Sequence, residues 1–218
     1  MHLNCVIKWV FLVSFFPGKG RWLVLSDSIA KYVTINDNTD VRAFRGDTVS
    51  RLTDRIAFGE VDVRGYSRIL IHVGTNDVGN LFSKGEHRTM TIFRIMDSFH
   101  SLRDTIRRRN SSAMLLFSSI LPRRNRYKLF RPYIQGLNFA LEKFCAKSRG
   151  ANVFIPSYNC FLLNGEPRHS LFSDSDGLHL KGAGVVKLQG CFQQAFSSGY
   201  LRVRVLCKQT RDMAAIKY

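Results

Sequence analysis

Cysteine is scarce in this 218-residue chain, and the 16 acidic residues are only about half as many as the 33 basic ones. The cysteines, Cys5, Cys145, Cys160, Cys191 and Cys207, are odd in number and widely spaced, and no C-x-x-C pair occurs. That excludes a zinc ribbon, a thioredoxin-type redox site and a disulfide-built scaffold. No apolar run reaches the roughly 18 residues of a membrane-spanning helix, which excludes a polytopic membrane protein. Internal repeats and low-complexity segments are also missing. With 45% hydrophobic and 22% charged residues, the composition is that of a globular protein and not of a disordered chain. At roughly 150 residues per domain, the length predicts one domain.

The shortage of acid leaves a net charge of +17. Such a surface attracts polyanions. The excess is uneven: from Arg103 to Arg131 nine basic residues face a single acid, Asp104. A solvated helix face and loop explains this stretch most simply. A weak contact with nucleic acid or an anionic surface is the competing expectation.

The ends differ from the middle. Residues 1–20 contain the apolar stretch Trp9–Phe16, but Lys8 interrupts it and no small-x-small cleavage site follows. They read as an N-terminal extension of a cytoplasmic protein, with secretion as the alternative. Residues 200–218 read as a basic tail, which leaves 21–199 as the folded domain.

Within the domain, five apolar runs alternate with helix-period segments. The runs are Trp22–Leu25, Val41–Phe44, Arg68–Val73, Ala113–Ile120 and Ala151–Ile155. Near-continuous runs of this length predict strands buried on both faces. Helical spacing joins Ile92, Met96, Phe99, Leu102 and Ile106, then Tyr133, Leu137, Leu141 and Phe144, and finally Val185, Leu188, Phe192 and Phe196. The alternation predicts an α/β fold, an open parallel sheet with helices on both faces. Right-handed crossovers then bring the C-terminal ends of the strands to one edge, where such sheets bind ligands.

Polar clusters fall at that edge: Ser26-Asp27-Ser28, Arg45-Gly46-Asp47-Thr48 and Gly74-Thr75-Asn76-Asp77. A fourth, Asp176-Gly177-Leu178-His179-Leu180, precedes the last helix. A serine hydrolase needs a nucleophile, a base, a group that orients the base, and donors for an oxyanion. Ser28, His179 and Asp176 supply the first three types. The Ser28 and Gly46 N–H groups and the Asn76 side-chain amide supply the last. Taken singly, each has a plainer reading: Ser28 as a helix cap, Gly46 and Asp176-Gly177 as turns, Asn76 and Asp77 as strand-to-loop turn formers, and His179 as a surface histidine.

Together the four clusters resemble the four blocks of the SGNH, or GDSL-type, hydrolase superfamily, over roughly Trp22 to Phe196. Gly46-Asp47-Thr48, Leu121-Pro122-Arg123 and His179-Leu180 followed by Gly182 and Gly184 look most like its platelet-activating factor acetylhydrolase branch. The resemblance implies a flavodoxin-like three-layer sandwich with a five-stranded parallel sheet. It also implies hydrolysis of an ester or acetyl group of a small-molecule or glycan substrate, with no metal and no cofactor. By the same resemblance Ser28 is the nucleophile, His179 the base and Asp176 its partner. Ser28, Gly46 and Asn76 form the oxyanion hole, and Asp27 and Asp77 are supporting residues and not chemical ones. In one place the pattern departs. Ser26 stands where the family has glycine, and a positive φ there would strain the turn before Ser28. The basic insert carrying Arg123, Arg124 and Arg126 follows a strand and is expected to overhang the site, favouring an anionic substrate. The alternative is a catalytically weak module of this fold, of a kind also found in mobile-element reading frames, that binds through its basic patch.

Overall fold

The computed structural model describes residues 20–148 and 150–197. Residues 1–19 of the expected extension and the expected tail at 200–218 lie outside the described residues. Each of the five apolar runs forms a strand: β1 (Arg21–Ser26), β2 (Thr39–Ala43), β3 (Tyr66–His72), β4 (Met114–Ser118) and β5 (Asn152–Ile155). They make one all-parallel sheet in the order β2-β1-β3-β4-β5. This is the flavodoxin-like order.

The register shows why the runs are apolar throughout. Val41, Val24, Leu70, Leu116 and Val153 lie side by side across all five strands. They face the layer that contains Leu188 and Phe192. One residue further on, Leu25, Ile71, Phe117 and Phe154 form the next row and face the opposite layer. Successive strand side chains point to opposite faces, so burial of both faces demands apolar residues at consecutive positions. Strand β2 departs from the expectation of double burial: it is an edge strand, and none of its residues is fully buried.

Five helices flank the sheet: α1 (Val49–Ala57), α2 (Thr75–Ser83), α3 (Arg88–Arg109), α4 (Tyr127–Ala146) and α5 (Gly182–Ser197). Helices α1, α3 and α4 cover one face and α5 the other. The three helices expected from periodicity are α3, α4 and α5, with two shifts of register. In α3 the buried residue of the second turn is Ile95, while Ile92 is half-buried and leans on Gly136 of α4. In α4 Ile134 is buried and Tyr133 is only partly covered.

Helices α1 and α2 add to the three that periodicity predicts. α1 is short, but Val49, Leu52 and Ile56 form its buried stripe, and the Thr48 hydroxyl caps it by accepting the Arg51 N–H at 3.2 Å. α2 starts inside a cluster that reads as a turn, so Asn76 and Asp77 stand in its first turn. A further two-stranded hairpin joins β6 (Leu162–Leu163) to β7 (Glu166–Pro167). No helix among the described residues is long and apolar enough to cross a membrane.

Two features of the sheet position the site. Ser26, Ala43 and His72 end three adjacent strands in one row, so the segments that follow them emerge together. The loop after β4 is held from behind by Asn138. Its Oδ1 accepts the Ile120 N–H at 2.7 Å and its Nδ2 donates to the Ile120 carbonyl at 2.9 Å.

Candidate active site

Ser28 opens a three-residue 3-10 turn immediately after β1. The turn is shaped by its two predecessors. The Asp27 carboxylate accepts the Ile29 N–H at 3.0 Å. The Ser26 hydroxyl donates to the His72 carbonyl at 2.9 Å and accepts the Ala30 N–H at 3.3 Å. Ser26 is the last residue of an extended strand, and it is not among the residues with positive φ. The strain expected of a serine at this position is therefore absent, and its hydroxyl ties β1 to β3 and to the turn. Ser26→Gly is expected to destabilise the fold by about 2 kcal/mol, from two lost hydrogen bonds and added chain entropy. Urea unfolding of the two proteins measures it.

The fourth cluster meets this turn from 151 residues further along the chain. Ser28 Oγ lies 2.9 Å from His179 Nε2. His179 Nδ1 lies 2.5 Å from Asp176 Oδ2. The other Asp176 oxygen accepts the backbone N–H groups of Leu178 (2.8 Å) and His179 (3.0 Å). Burial opposes the Asp176 charge. The His179 ring and the two N–H groups outweigh it and draw the carboxyl down to about 2. The side chains of His179 and Asp176 remain 44% and 41% exposed, so both are open to solvent.

This loop is locked by its neighbours. Ser173 N–H donates to the His179 carbonyl at 2.7 Å, and Arg124 N–H donates to the Gly177 carbonyl at 2.8 Å. Gly177 has φ +60, and a Cβ there would stand 2.8 Å from the Asn125 nitrogen. Only glycine fits both the conformation and the space.

The other two clusters complete the edge. Gly46 (φ +76) presents an N–H with no partner among the described residues, and nothing stands within 4 Å of where a Cβ would be. Asn76 Nδ2 donates to the Asp47 carbonyl at 2.9 Å, which joins α2 to the Gly46 loop and leaves its second amide hydrogen unused. The loop is anchored by Asp47, buried and paired with Arg55 Nε at 2.7 Å.

Asp27 and Asp77 are both buried beneath this surface. Asp77 accepts the Val49 N–H, 3.2 and 3.1 Å from its two oxygens. Burial raises Asp77 to about 6. Burial, and then the nearby Asp77 charge, raise Asp27 to about 7 against the pull of the Ile29 N–H. Groups raised in the folded state bind more protons there than in the unfolded chain. Their stabilisation is complete below about pH 4 and is lost as pH rises through about 6 to 7. Asp27→Asn is expected to flatten the fall in stability between pH 4 and 7, by on the order of 4 kcal/mol. Chemical denaturation across that range checks it.

Sequence reading missed the layer behind these groups. His72, fully buried and held down to about 4 by that burial, has Nδ1 3.0 Å from the Ser118 hydroxyl, which lies 3.2 Å from that of Ser157. No spacing rule joins these residues, since only the sheet brings them together. Among the described residues no three His, Cys, Asp or Glu side chains are grouped as metal ligands would be.

The arginines of the basic insert have different partners. Arg124 is committed to Asp174, with its guanidinium 2.7 Å from Oδ1, and Lys181 takes the other Asp174 oxygen at 2.7 Å. Arg124 therefore braces the Asp176–His179 loop, and its charge is matched by Asp174. Arg123 and Arg126 line an open cleft of about 300 Å³ with Asn76, Gly79, Asn80 and Phe130.

The wider basic stretch is not one patch. Arg107 donates to the carbonyls of Ser111, Ala113 and Ala151 near the start of β4, and Arg109 to that of Ala57. Arg123 follows the other end of β4, about 15 Å away at the rise of a strand.

No protein-family model matches the sequence, and no curated protein matches it. Solved structures do match in fold. A candidate platelet activating factor protein from Streptococcus pneumonia is 20% identical, with 85% of this chain and 86% of the other covered and a TM-score of 0.65. A GDSL-like lipase from Bacteroides thetaiotaomicron is 18% identical (81% and 87% covered, TM-score 0.61). A catalytic mutant of the acetylxylan esterase Axe2 from Geobacillus stearothermophilus is 14% identical (85% and 98% covered, TM-score 0.63). At these identities the likeness is one of architecture: the chain has the three-layer α/β fold of the GDSL, or SGNH, hydrolases.

Proposed function

We propose that this protein hydrolyses ester bonds through a serine nucleophile. The observation that carries the reading is the hydrogen-bonded chain from Ser28 Oγ through His179 to Asp176, at 2.9 and 2.5 Å. A serine hydroxyl is a weak nucleophile until an adjacent base takes its proton. His179 Nε2 is within reach to do so, and Asp176 holds the Nδ1–H tautomer and stabilises the imidazolium that forms. Attack of Oγ on the ester carbonyl places negative charge on its oxygen. The N–H groups of Ser28 and Gly46 and the Asn76 amide are the donors for that charge. His179 then protonates the departing alcohol, and a water molecule activated by the same imidazole releases the acid from Ser28. The neighbours named as lipases and as an acetylxylan esterase support an ester or acetyl group as the bond cleaved, on a small-molecule or glycan substrate.

The direct test is a fluorophosphonate probe, which reacts only with an activated serine. Labelling is expected on the peptide containing Ser28 and on no other serine, as read by mass spectrometry. A protein that takes no label and releases no acid from p-nitrophenyl acetate or butyrate would instead be a binding module on a hydrolase fold. Within the active protein, Asn76→Ala is expected to lower kcat by about 10²–10³-fold with a small change in KM, because its amide acts on the charge that develops in the transition state. Steady-state kinetics on p-nitrophenyl butyrate measure both constants.

A further inference from the structure

Arg123 is an unusual cation. It is half-buried, its guanidinium lies 4.3 Å over the Phe130 ring, and no carboxylate among the described residues lies within ion-pair distance. The other two arginines of its neighbourhood differ. Arg124 is paired with Asp174, and Arg126 is exposed at the left-handed residue before α4. Burial of Arg123 disfavours its charge, as does Arg126, while Asp176 favours it. A guanidinium held in that setting without a partner retains its donors for a ligand.

The surroundings keep it aimed. Gly79, inside α2, lies so close to Arg123 that a Cβ there would stand 3.0 Å from Nη1. Glycine in a helix interior costs roughly 1 kcal/mol relative to alanine, and here it opens the space the guanidinium occupies. The cleft it lines includes Asn76, whose side chain also reaches the Gly46 loop. The cleft is therefore contiguous, through Asn76, with the groups proposed to surround the ester.

We propose that the Arg123 cleft is a subsite for a carboxylate carried by the ester substrate, so that the enzyme selects anionic esters over neutral ones of the same size. The proposal rests on the ester-hydrolase reading for its kinetic form, but binding tests it independently.

The experiment compares matched esters. p-Nitrophenyl hemisuccinate against p-nitrophenyl butyrate places the carboxylate on the acyl side. 4-Acetoxybenzoate against phenyl acetate places it on the alcohol side. Each pair is read as a ratio of kcat/KM, so the intrinsic reactivity of the esters cancels between variants. Arg123→Gln is expected to reduce the ratio for one pair by about tenfold or more, the loss typical of a charged hydrogen-bonded contact. Lys128→Gln removes an exposed charge from the same loop–helix junction and is expected to change it less than twofold. In parallel, calorimetric titration of p-nitrophenyl hemisuccinate and of 4-acetoxybenzoate into Ser28→Ala is expected to show, for at least one of the two, binding about tenfold tighter than into Ser28→Ala/Arg123→Gln. If no ester is turned over but that difference in binding persists, the hydrolase reading falls and the anion site stands. Turnover with unchanged ratios for both pairs, or an equal loss in Lys128→Gln, overturns the anion site and leaves the hydrolase reading intact.

Discussion

Ser28→Ala is expected to lower kcat on p-nitrophenyl acetate by about 10⁶-fold, or to the level of spontaneous hydrolysis where that is reached first. On the proposed mechanism alanine removes the only atom that forms a bond to the substrate, and no neighbour replaces it. Ser28 Oγ has His179 Nε2 as its hydrogen-bond partner, and the Ser26 hydroxyl is turned away towards the His72 carbonyl. The backbone turn rests on Asp27 and Ser26, so the variant is expected to unfold at the same urea concentration as the parent. A loss smaller than about tenfold, with folding intact, would sink the nucleophile assignment.

Asp176→Asn is expected to lower kcat by about 10⁴-fold with little change in stability or substrate affinity. The geometry supplies the reason. Asp176 Oδ1 accepts two backbone N–H groups, which fixes the orientation of the side chain. An asparagine keeps those bonds only if its oxygen takes the Oδ1 place, which turns its NH₂ towards His179 Nδ1. A donor then faces Nδ1, so the ring proton moves to Nε2, the nitrogen that faces Ser28 Oγ. A protonated Nε2 on a neutral ring cannot accept the hydroxyl proton. Because the Asp176 carboxyl lies at about 2 in the parent, it is ionised throughout the working range. The deficit should therefore persist from pH 6 to pH 9 instead of recovering at one end. Kinetics across that range, beside Ser28→Ala, measure it.

Both predictions concern residues that were legible in the sequence, and legible for the same reason. Each polar cluster stands directly after an apolar run or just before a helical period. The edge of a parallel sheet collects such positions whatever their separation along the chain. Ser28 and His179 are 151 residues apart, yet a strand end and a helix approach suffice to bring them together. The helix of α2 was not legible, because Gly74-Thr75-Asn76-Asp77 has the composition of a turn and its helical character depends on packing against α3 and α4.

Other questions were settled by contacts that no local pattern contains. Arg123 and Arg124 are adjacent and chemically identical. One lines a cleft and the other pairs with Asp174, 50 residues away, a contact that only the folded chain supplies. Ser26 looked like a strained departure from a family pattern and is instead a link between strands, which depends on where His72 ends β3. The basic stretch around β4 reads as a single block of charge, and the strand inside it sends its two halves to opposite edges of the sheet. Apolar periodicity determined the layers and the edge at which polar clusters meet, since burial of both sheet faces leaves few arrangements for such a chain. Only the tertiary structure decided which charges are paired and which remain free for a ligand, because ion pairs form between groups whose separation in sequence carries no information about their separation in space.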